Sequence, residues 1–166
     1  MRILGVDPAV ATIGYALLWE NPAIPADLEL IDYGVFCTEK GPLRGRLALL
    51  RAWFLDYLAS RQPNLVVLER PTSNGRIAGN GLMLSMAFAE LSACCDRAGV
   101  RCVDYAPNTT KKWGAKNGRA TKSQVRAAMK ERFGPYLKGP DDQFDAMLAA
   151  VAHAEILKDG SNWVTR

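Results

Sequence analysis

Two short apolar runs in this chain each end on a carboxylate. Ile3-Leu4-Gly5-Val6 runs into Asp7, and Leu65-Val66-Val67-Leu68 runs into Glu69. Short continuous apolar runs are the mark of strands covered on both faces. The sequence therefore sets an acid at the end of each of two buried strands, where a charge is strongly disfavoured unless something positive meets it. Two further acids, Asp142 and Asp145, stand at the start of an apolar helical pattern. Their spacing of three puts both on one helix face. Carboxylate oxygens are hard donors that suit Mg2+, with Mn2+ as a substitute. A pair of such ions about 4 Å apart can hold the attacking and leaving oxygens of a phosphodiester.

The rest of the pattern says what carries these acids. The spacing predicts strands over Arg2–Val6, Thr12–Trp19 and Leu28–Thr38, with Asn21-Pro22-Ala23-Ile24-Pro25 as a loop after the second. Leu47, Leu50, Phe54 and Leu58 then fall on one stripe, which predicts a helix over Leu43–Arg61. A strand over Leu65–Glu69, a helix over Gly81–Arg97 stopped by Gly99, and a strand over Val100–Tyr105 follow. Pro107-Asn108-Thr109 opens a short helix. Thr121–Phe133 forms another, capped by Thr121 or Ala120, and Asp141–Leu157 the last, with Asp141 as its cap. The order βββαβαβααα predicts an α/β fold: a mixed five-stranded sheet, three strands antiparallel and two parallel, with helices on both faces. Residues 1–166 are expected to form a single domain. If the first and fourth strands are neighbours, Asp7 and Glu69 end side by side at the carboxyl edge, where open α/β sheets hold their sites.

Charge is unevenly placed. The chain is +4 overall, but Asn108–Gly139 holds Lys111, Lys112, Lys116, Arg119, Lys122, Arg126, Lys130, Arg132 and Lys138 against Glu131 alone. That segment is +8 and the remainder is −4, the footprint of a polyanion binder. No apolar stretch approaches the roughly 20 residues that span a bilayer, and the N-terminus enters a strand with no signal-peptide pattern. No membrane partner is expected, and the expected location is the cytoplasm, of a bacterial cell or of a host cell if the gene is a phage's. Cys37, Cys94, Cys95 and Cys102 lack zinc-site spacing and read as reduced, mostly buried thiols.

Gly5-Val6-Asp7-Pro8 with Thr12-Ile13-Gly14-Tyr15, and then Val67-Leu68-Glu69, resemble the first and second motifs of the RuvC family of Holliday-junction resolvases. Tyr105-Ala106-Pro107-Asn108, Lys111, Lys112 and Gly118-Arg119-Ala120-Thr121-Lys122-Ser123-Gln124-Val125 resemble its basic third region, and Asp142-Gln143-Phe144-Asp145-Ala146-Met147 its last. The motifs occur in order over nearly the whole chain. The resemblance implies an RNase H-like fold and a magnesium-dependent endonuclease that acts as a homodimer on four-way DNA junctions. It carries over Asp7, Glu69, Asp142 and Asp145 as ligands of two metal ions, and lysines of the third region, Lys122 foremost, as groups near the scissile phosphate. Lys111, Lys112, Lys116, Arg119 and Lys122 are the DNA-binding candidates of that region, with the choice between Lys111 and Lys112 open.

The segment after Glu69 departs from the family. Where the resemblance implies an aromatic wedge, this chain reads Arg70-Pro71-Thr72-Ser73-Asn74-Gly75-Arg76, with no aromatic before Phe88. Arg70, Asn74 and Arg76 are expected to contact DNA instead, as in a divergent or phage-type member. The helix from Leu82 to Cys95 is apolar nearly all round, so it needs cover on two sides: the core on one, and on the other a two-fold partner or more of the same subunit. Met83, Met86, Trp19, Trp53 and Trp163 read as packing residues and His153 as structural. Trp113 reads as packing too, but, lying inside the basic segment, it is the one tryptophan placed where it could also touch DNA. Two other functions compete: a non-catalytic branched-DNA binding module, and an RNA-processing nuclease of the related YqgF type.

Overall fold

Alternating and continuous apolar runs resolve into three strands that fold back on one another. They are β1 (Arg2–Asp7), β2 (Thr12–Glu20) and β3 (Leu28–Cys37). Helix α1 (Leu43–Arg61) leads to β4 (Leu65–Glu69), and α2 (Asn80–Ala98) leads to β5 (Arg101–Tyr105). Three helices close the order: α3 (Pro107–Gly114), α4 (Lys122–Phe133) and α5 (Asp141–Lys158). The computed structural model describes residues 1–24, 27–71 and 80–160. Asn74, Arg76 and Trp163, named above, lie outside the described residues.

The sheet runs β3-β2-β1-β4-β5. Its first three strands pair antiparallel, and β1–β4 and β4–β5 pair parallel. This is the expected mixed sheet, with β1 and β4 adjacent. One face buries Leu4, Val6, Ile13 and Leu17 against Leu50, Phe54 and Leu58 of α1 and Leu91, Cys94 and Cys95 of α2. The other buries Ile3, Ala16, Leu18 and Val67 against α5, with α4 contributing Val125 and Met129.

Helix α5 is wrapped rather than amphipathic. Twelve of its 18 residues are buried, because it lies across β1 and β2 and also carries α3 and α4. It comes so close that two strand positions tolerate only glycine. A Cβ on Gly5 would stand 3.0 Å from the Ala150 Cβ and closer still to the Ala146 carbonyl oxygen. On Gly14 it would stand 2.8 Å from the Gln143 nitrogen and closer still to the Asp142 carbonyl.

Local signals set the helix ends. Thr121 caps α4 in a reciprocal box: its hydroxyl accepts from the Gln124 amide at 3.3 Å, and its own amide donates to Gln124 Oε1 at 2.9 Å. The expected Asp141 cap is corrected. Pro140 holds the cap position of α5 with no side-chain hydrogen bond, and the Asp141 carboxylate turns to Arg126 at 2.6 Å and Lys122 at 3.5 Å. A charged partner outcompetes an amide for a carboxylate. Trp19 and Met83 are also corrected as packing residues, being 37% and 40% exposed. Trp53 packs under the sheet, its ring stacked on Phe36 at 4.5 Å. Trp113 is half-buried against the core, under the Lys112 ammonium. His153 is structural as expected: it is 4% exposed, hydrogen-bonded to the Tyr105 hydroxyl at 2.9 Å, and pushed down to about 4 by burial and then by the Arg101 charge. No helix among the described residues is long and apolar enough to cross a membrane.

Candidate active site

Register brings the first two acids together. Val6 pairs with Leu68, so Asp7 and Glu69 follow as neighbours where β1 and β4 end, on strands about 4.8 Å apart. Asp7 also faces Gly14 across β2. The missing side chain at Gly14 lets the Asp142 backbone settle on that strand, which delivers the tip of α5 to the same edge. Asp145, one turn along, shares its face. A small cleft of about 120 Å3 opens here, lined by Asp7, Pro8, Glu69, Arg70, Pro71, Leu84 and Pro107.

The acids act strongly on one another. Burial, then the charges of Glu69, Asp145 and Asp142, raise Asp7 well above the usual carboxylate range, against a smaller opposing pull from Lys122. Burial and then Asp145 push Glu69 up to about 7, opposed by Thr110 and Lys111. Asp145 is raised by burial and drawn down by Lys122 and Lys111. Burial is the first cause of all three upward shifts, so these carboxyls are held where their charged forms are poorly solvated. Among the described residues no three acidic, histidine or cysteine side chains close into a ready-made ion cage. The donors still fit a hard divalent ion, since Mg2+ is commonly held by one or two carboxylates with substrate phosphate and water supplying the rest.

The basic residues divide into two groups. Lys122 and Lys111 lie within electrostatic reach of the quartet, Lys122 bearing on Asp7 and Asp145 and Lys111 on Glu69 and Asp145. Lys112 points to the Trp113 ring instead, 5.7 Å from its centroid. Arg119 is exposed, beyond the turn that follows α3. Arg70 reaches Asp104, and its amide donates to the Tyr105 carbonyl at 2.8 Å. Lys116 is not brought to the site: it pairs with Glu155 at 3.0 Å, ten residues past Asp145, or about 15 Å along α5. Arg132 takes the other oxygen of Glu155 at 2.9 Å, as Arg126 and Lys122 share Asp141. Acids outside the +8 segment thus absorb part of its charge.

Sequence reasoning missed three contributors. Thr110 is fully buried, and its hydroxyl lies 3.1 Å from Glu69 Oε2 and 2.9 Å from the Pro107 carbonyl. Arg126 stacks on the Phe144 ring at 4.7 Å while it holds Asp141, so it braces the first turn of α5. Gly14 stood in a motif, but the helix that presses on it did not. A strand glycine signals a close backbone approach, and that is the one clue the chain offers.

A mixed sheet in this order, with acids closing its first and fourth strands and heading its last helix, places the protein among the RNase H-like nucleases. The sequence model for "Crossover junction endodeoxyribonuclease RuvC" matches residues 3–153. The chain belongs to the RuvC family. The crossover junction endodeoxyribonuclease RuvC of Gloeobacter violaceus is 30% identical over 91% of this chain and 86% of that protein. A Thermus thermophilus RuvC, solved in complex with Holliday junction substrate, aligns with a TM-score of 0.84 at 24% identity over 97% of both chains. The fowlpox virus resolvase, also solved with junction DNA, has a TM-score of 0.66 at 17% identity, covering 95% of this chain and 99% of that one. The expected RNase H-like architecture is the observed one.

Proposed function

We propose that this chain is a divalent-cation-dependent endonuclease that resolves four-way DNA junctions as a homodimer, one paired nick per subunit. The observation that carries the reading is the convergence at one sheet edge of acids from three separate stretches of chain, where Glu69, Asp145 and Asp142 all bear on the buried Asp7 and Asp145 bears on Glu69. Asp7, Glu69, Asp142 and Asp145 would hold the ions, with Mg2+ the natural occupant, Mn2+ its substitute and two ions the natural number. Bound there, divalent ions supply a nucleophilic water at neutral pH and charge stabilisation for the departing oxygen.

The chain's own groups set the conditions for that chemistry. Thr110 offers its hydroxyl to Glu69 and steadies one carboxylate oxygen. Lys122 and Lys111 place positive charge beside the acids, where they neutralise phosphate and the charge that grows in the transition state. Of the two lysines left open by the sequence, Lys111 is favoured, since it bears on Glu69 and Asp145 while Lys112 lies over Trp113. Arg119, and Arg70 beside the cleft, extend the surface for phosphate. The second subunit has a candidate seat on α2, whose Leu82 stays exposed while Ala87, Leu91, Cys94 and Cys95 are buried. Two sites related by a two-fold axis suit a substrate whose cut strands are themselves symmetric.

The test is cleavage of a mobile four-way junction, a fork and a linear duplex, as DNA and as RNA, with and without Mg2+. The wild type should cut the DNA junction in the metal alone. The Asp7→Asn protein should bind that junction and cut at least about 100-fold more slowly. Wild-type cutting by Asp7→Asn would end the assignment. Binding without nicks by the wild type would favour a branched-DNA binding module, and preferential cutting of RNA the YqgF-type reading.

A further inference from the structure

A second cleft opens directly beside the acidic one. Ala9, Val10, Ala11, Arg46, Met83 and Leu84 line it, and its volume is about 260 Å3. Leu84 belongs to both clefts, and Pro8 of the first is followed in the chain by Ala9 of the second. The two form one trough, in which Ala9 is at most about 7 Å from Asp7 along the backbone.

The chemistry of this trough is divided. One side is apolar, with Met83 and Leu84 presented to solvent at 40% and 36% exposure. The other side carries a single charge, Arg46, and that charge is fixed in place. Arg46 Nε donates to Thr38 Oγ1 at 2.9 Å, and the nearly buried Thr38 hydroxyl donates to the Val10 carbonyl at 2.6 Å. The Thr38 amide donates to the Ala11 carbonyl at 3.0 Å, a second tie between Thr38 and the Val10–Ala11 segment. Among the described residues Nε is the only guanidinium nitrogen engaged, and Arg46 makes no ion pair. The outer fork of the guanidinium is left for a ligand.

A pre-positioned guanidinium matches a phosphate. An exposed Met–Leu shelf lining the same cleft matches a sugar and an unstacked base, as apolar side chains do where proteins open a base step. We infer that this cleft is a nucleotide subsite, in which Arg46 holds the phosphate of a nucleotide flanking the cut and Met83 and Leu84 receive its sugar and base. The inference rests on the endonuclease reading and deepens it, by naming groups outside the acid quartet that fix the strand next to the scissile bond. A second copy of the chain is the competing occupant. Seated there it would bury the Arg46 charge and cover the entrance that the acids share, so DNA is the better fit.

The test uses Arg46→Ala, Arg46→Lys and Met83→Ser. After the wild-type cut site has been mapped, binding is measured in the Asp7→Asn background. The probe is a four-way junction with 2-aminopurine on either side of that site, titrated at several salt concentrations, with circular dichroism and solution mass as checks. Arg46→Ala should weaken binding about tenfold and flatten the salt dependence by one phosphate contact, about 0.9 in log–log slope. In the active enzyme it should raise KM with kcat within about threefold. Arg46→Lys should restore the slope, with affinity still short of wild type. Met83→Ser should keep the slope and lose most of the 2-aminopurine change. Folded variants with wild-type affinity, slope and fluorescence, from a wild type that does cut, would overturn the subsite alone. Loss of the dimer by Met83→Ser would give the surface to a second copy and overturn it as well. A wild type that neither binds nor cuts the junction would instead bring down the endonuclease reading, and the subsite with it.

Discussion

Gly14→Ala is the sharpest test of how the site is built. The added methyl carbon would stand 2.8 Å from the Gln143 nitrogen and closer still to the Asp142 carbonyl. Ordinary contact is about 3.5 Å, so the first turn of α5 must retreat by roughly 1–1.5 Å from β2. The methyl carbon has no rotamer and the atoms it meets are backbone, so no side-chain movement absorbs the clash. Gly14 is the register partner of Asp7, while Asp142 and Asp145 ride on the turn that moves. Overpacking of this kind costs about 1–3 kcal/mol. At about 2–4 °C per kcal/mol for a chain of this size, the melting temperature should fall by several degrees. The rate should suffer far more, since a misplacement of about 1 Å is worth on the order of 100-fold. Thermal melts followed by circular dichroism and single-turnover cleavage of a four-way junction in Mg2+ read the two effects separately. Gly41→Ala, with open space around its Cβ position, is the matched control and should change neither. A folded Gly14→Ala protein that cuts at the wild-type rate would refute the claim that this backbone contact sets the spacing of the acids.

His153, neutral in the fold and pushed down to about 4, makes the unfolded chain bind a proton that the folded chain refuses between about pH 6.5 and 4. Stability from this residue is complete above about pH 6.5 and is lost as pH falls through that window, on the order of 3 kcal/mol for the full shift. Urea midpoints of wild type and His153→Gln between pH 7 and pH 4.5 should therefore converge on acidification, and a constant difference would contradict the buried-imidazole argument. Thr121→Ala removes the capping box of α4 and should lower stability by about 1 kcal/mol in urea melts; an unchanged midpoint would deny the cap its role. Thr110→Val keeps the volume but deletes the hydroxyl beside Glu69. A lost hydrogen bond to a charged group is worth about 1.5–3 kcal/mol, so single-turnover cleavage should slow at least about tenfold with the fold intact, and wild-type cleavage would remove Thr110 from the site.

What the sequence disclosed and what it withheld divide along a physical line. Strand and helix periodicity is local, and the elements from Arg2 to Lys158 were readable from runs, stripes and breakers to within a residue or two, apart from α3, of which only the start was read. Asp7 and Glu69 stood out because each closes an apolar run. Thr110 did not, because a hydroxyl within Pro107–Gly114, a polar helix, gives no sign of burial until α3 is packed on α5. The Asp141 cap was misread for a related reason: from its own neighbourhood it looked like a capping residue, and the arginine that claims it comes from another helix. Lys116 read as part of a DNA-facing surface, and Glu155, far along the chain, turned it aside. Partner choice is a tertiary property, and a single sequence holds only the candidates.

The wrapping of α5 has one more consequence. Its interior residues answer to neighbours on nearly every side, while the two acids proposed to hold metal, Asp142 and Asp145, stand at its tip. Substitutions that retune which branched structures are gripped can accumulate on α2, on the loops and on the lysine-bearing surface without disturbing that helix. Altering where the acids sit would require rebuilding the interior of the molecule. On the proposed reading, recognition and bond cleavage fall to parts of the chain that can drift at different speeds, which would let descendants of this scaffold change their substrates while retaining the same reaction.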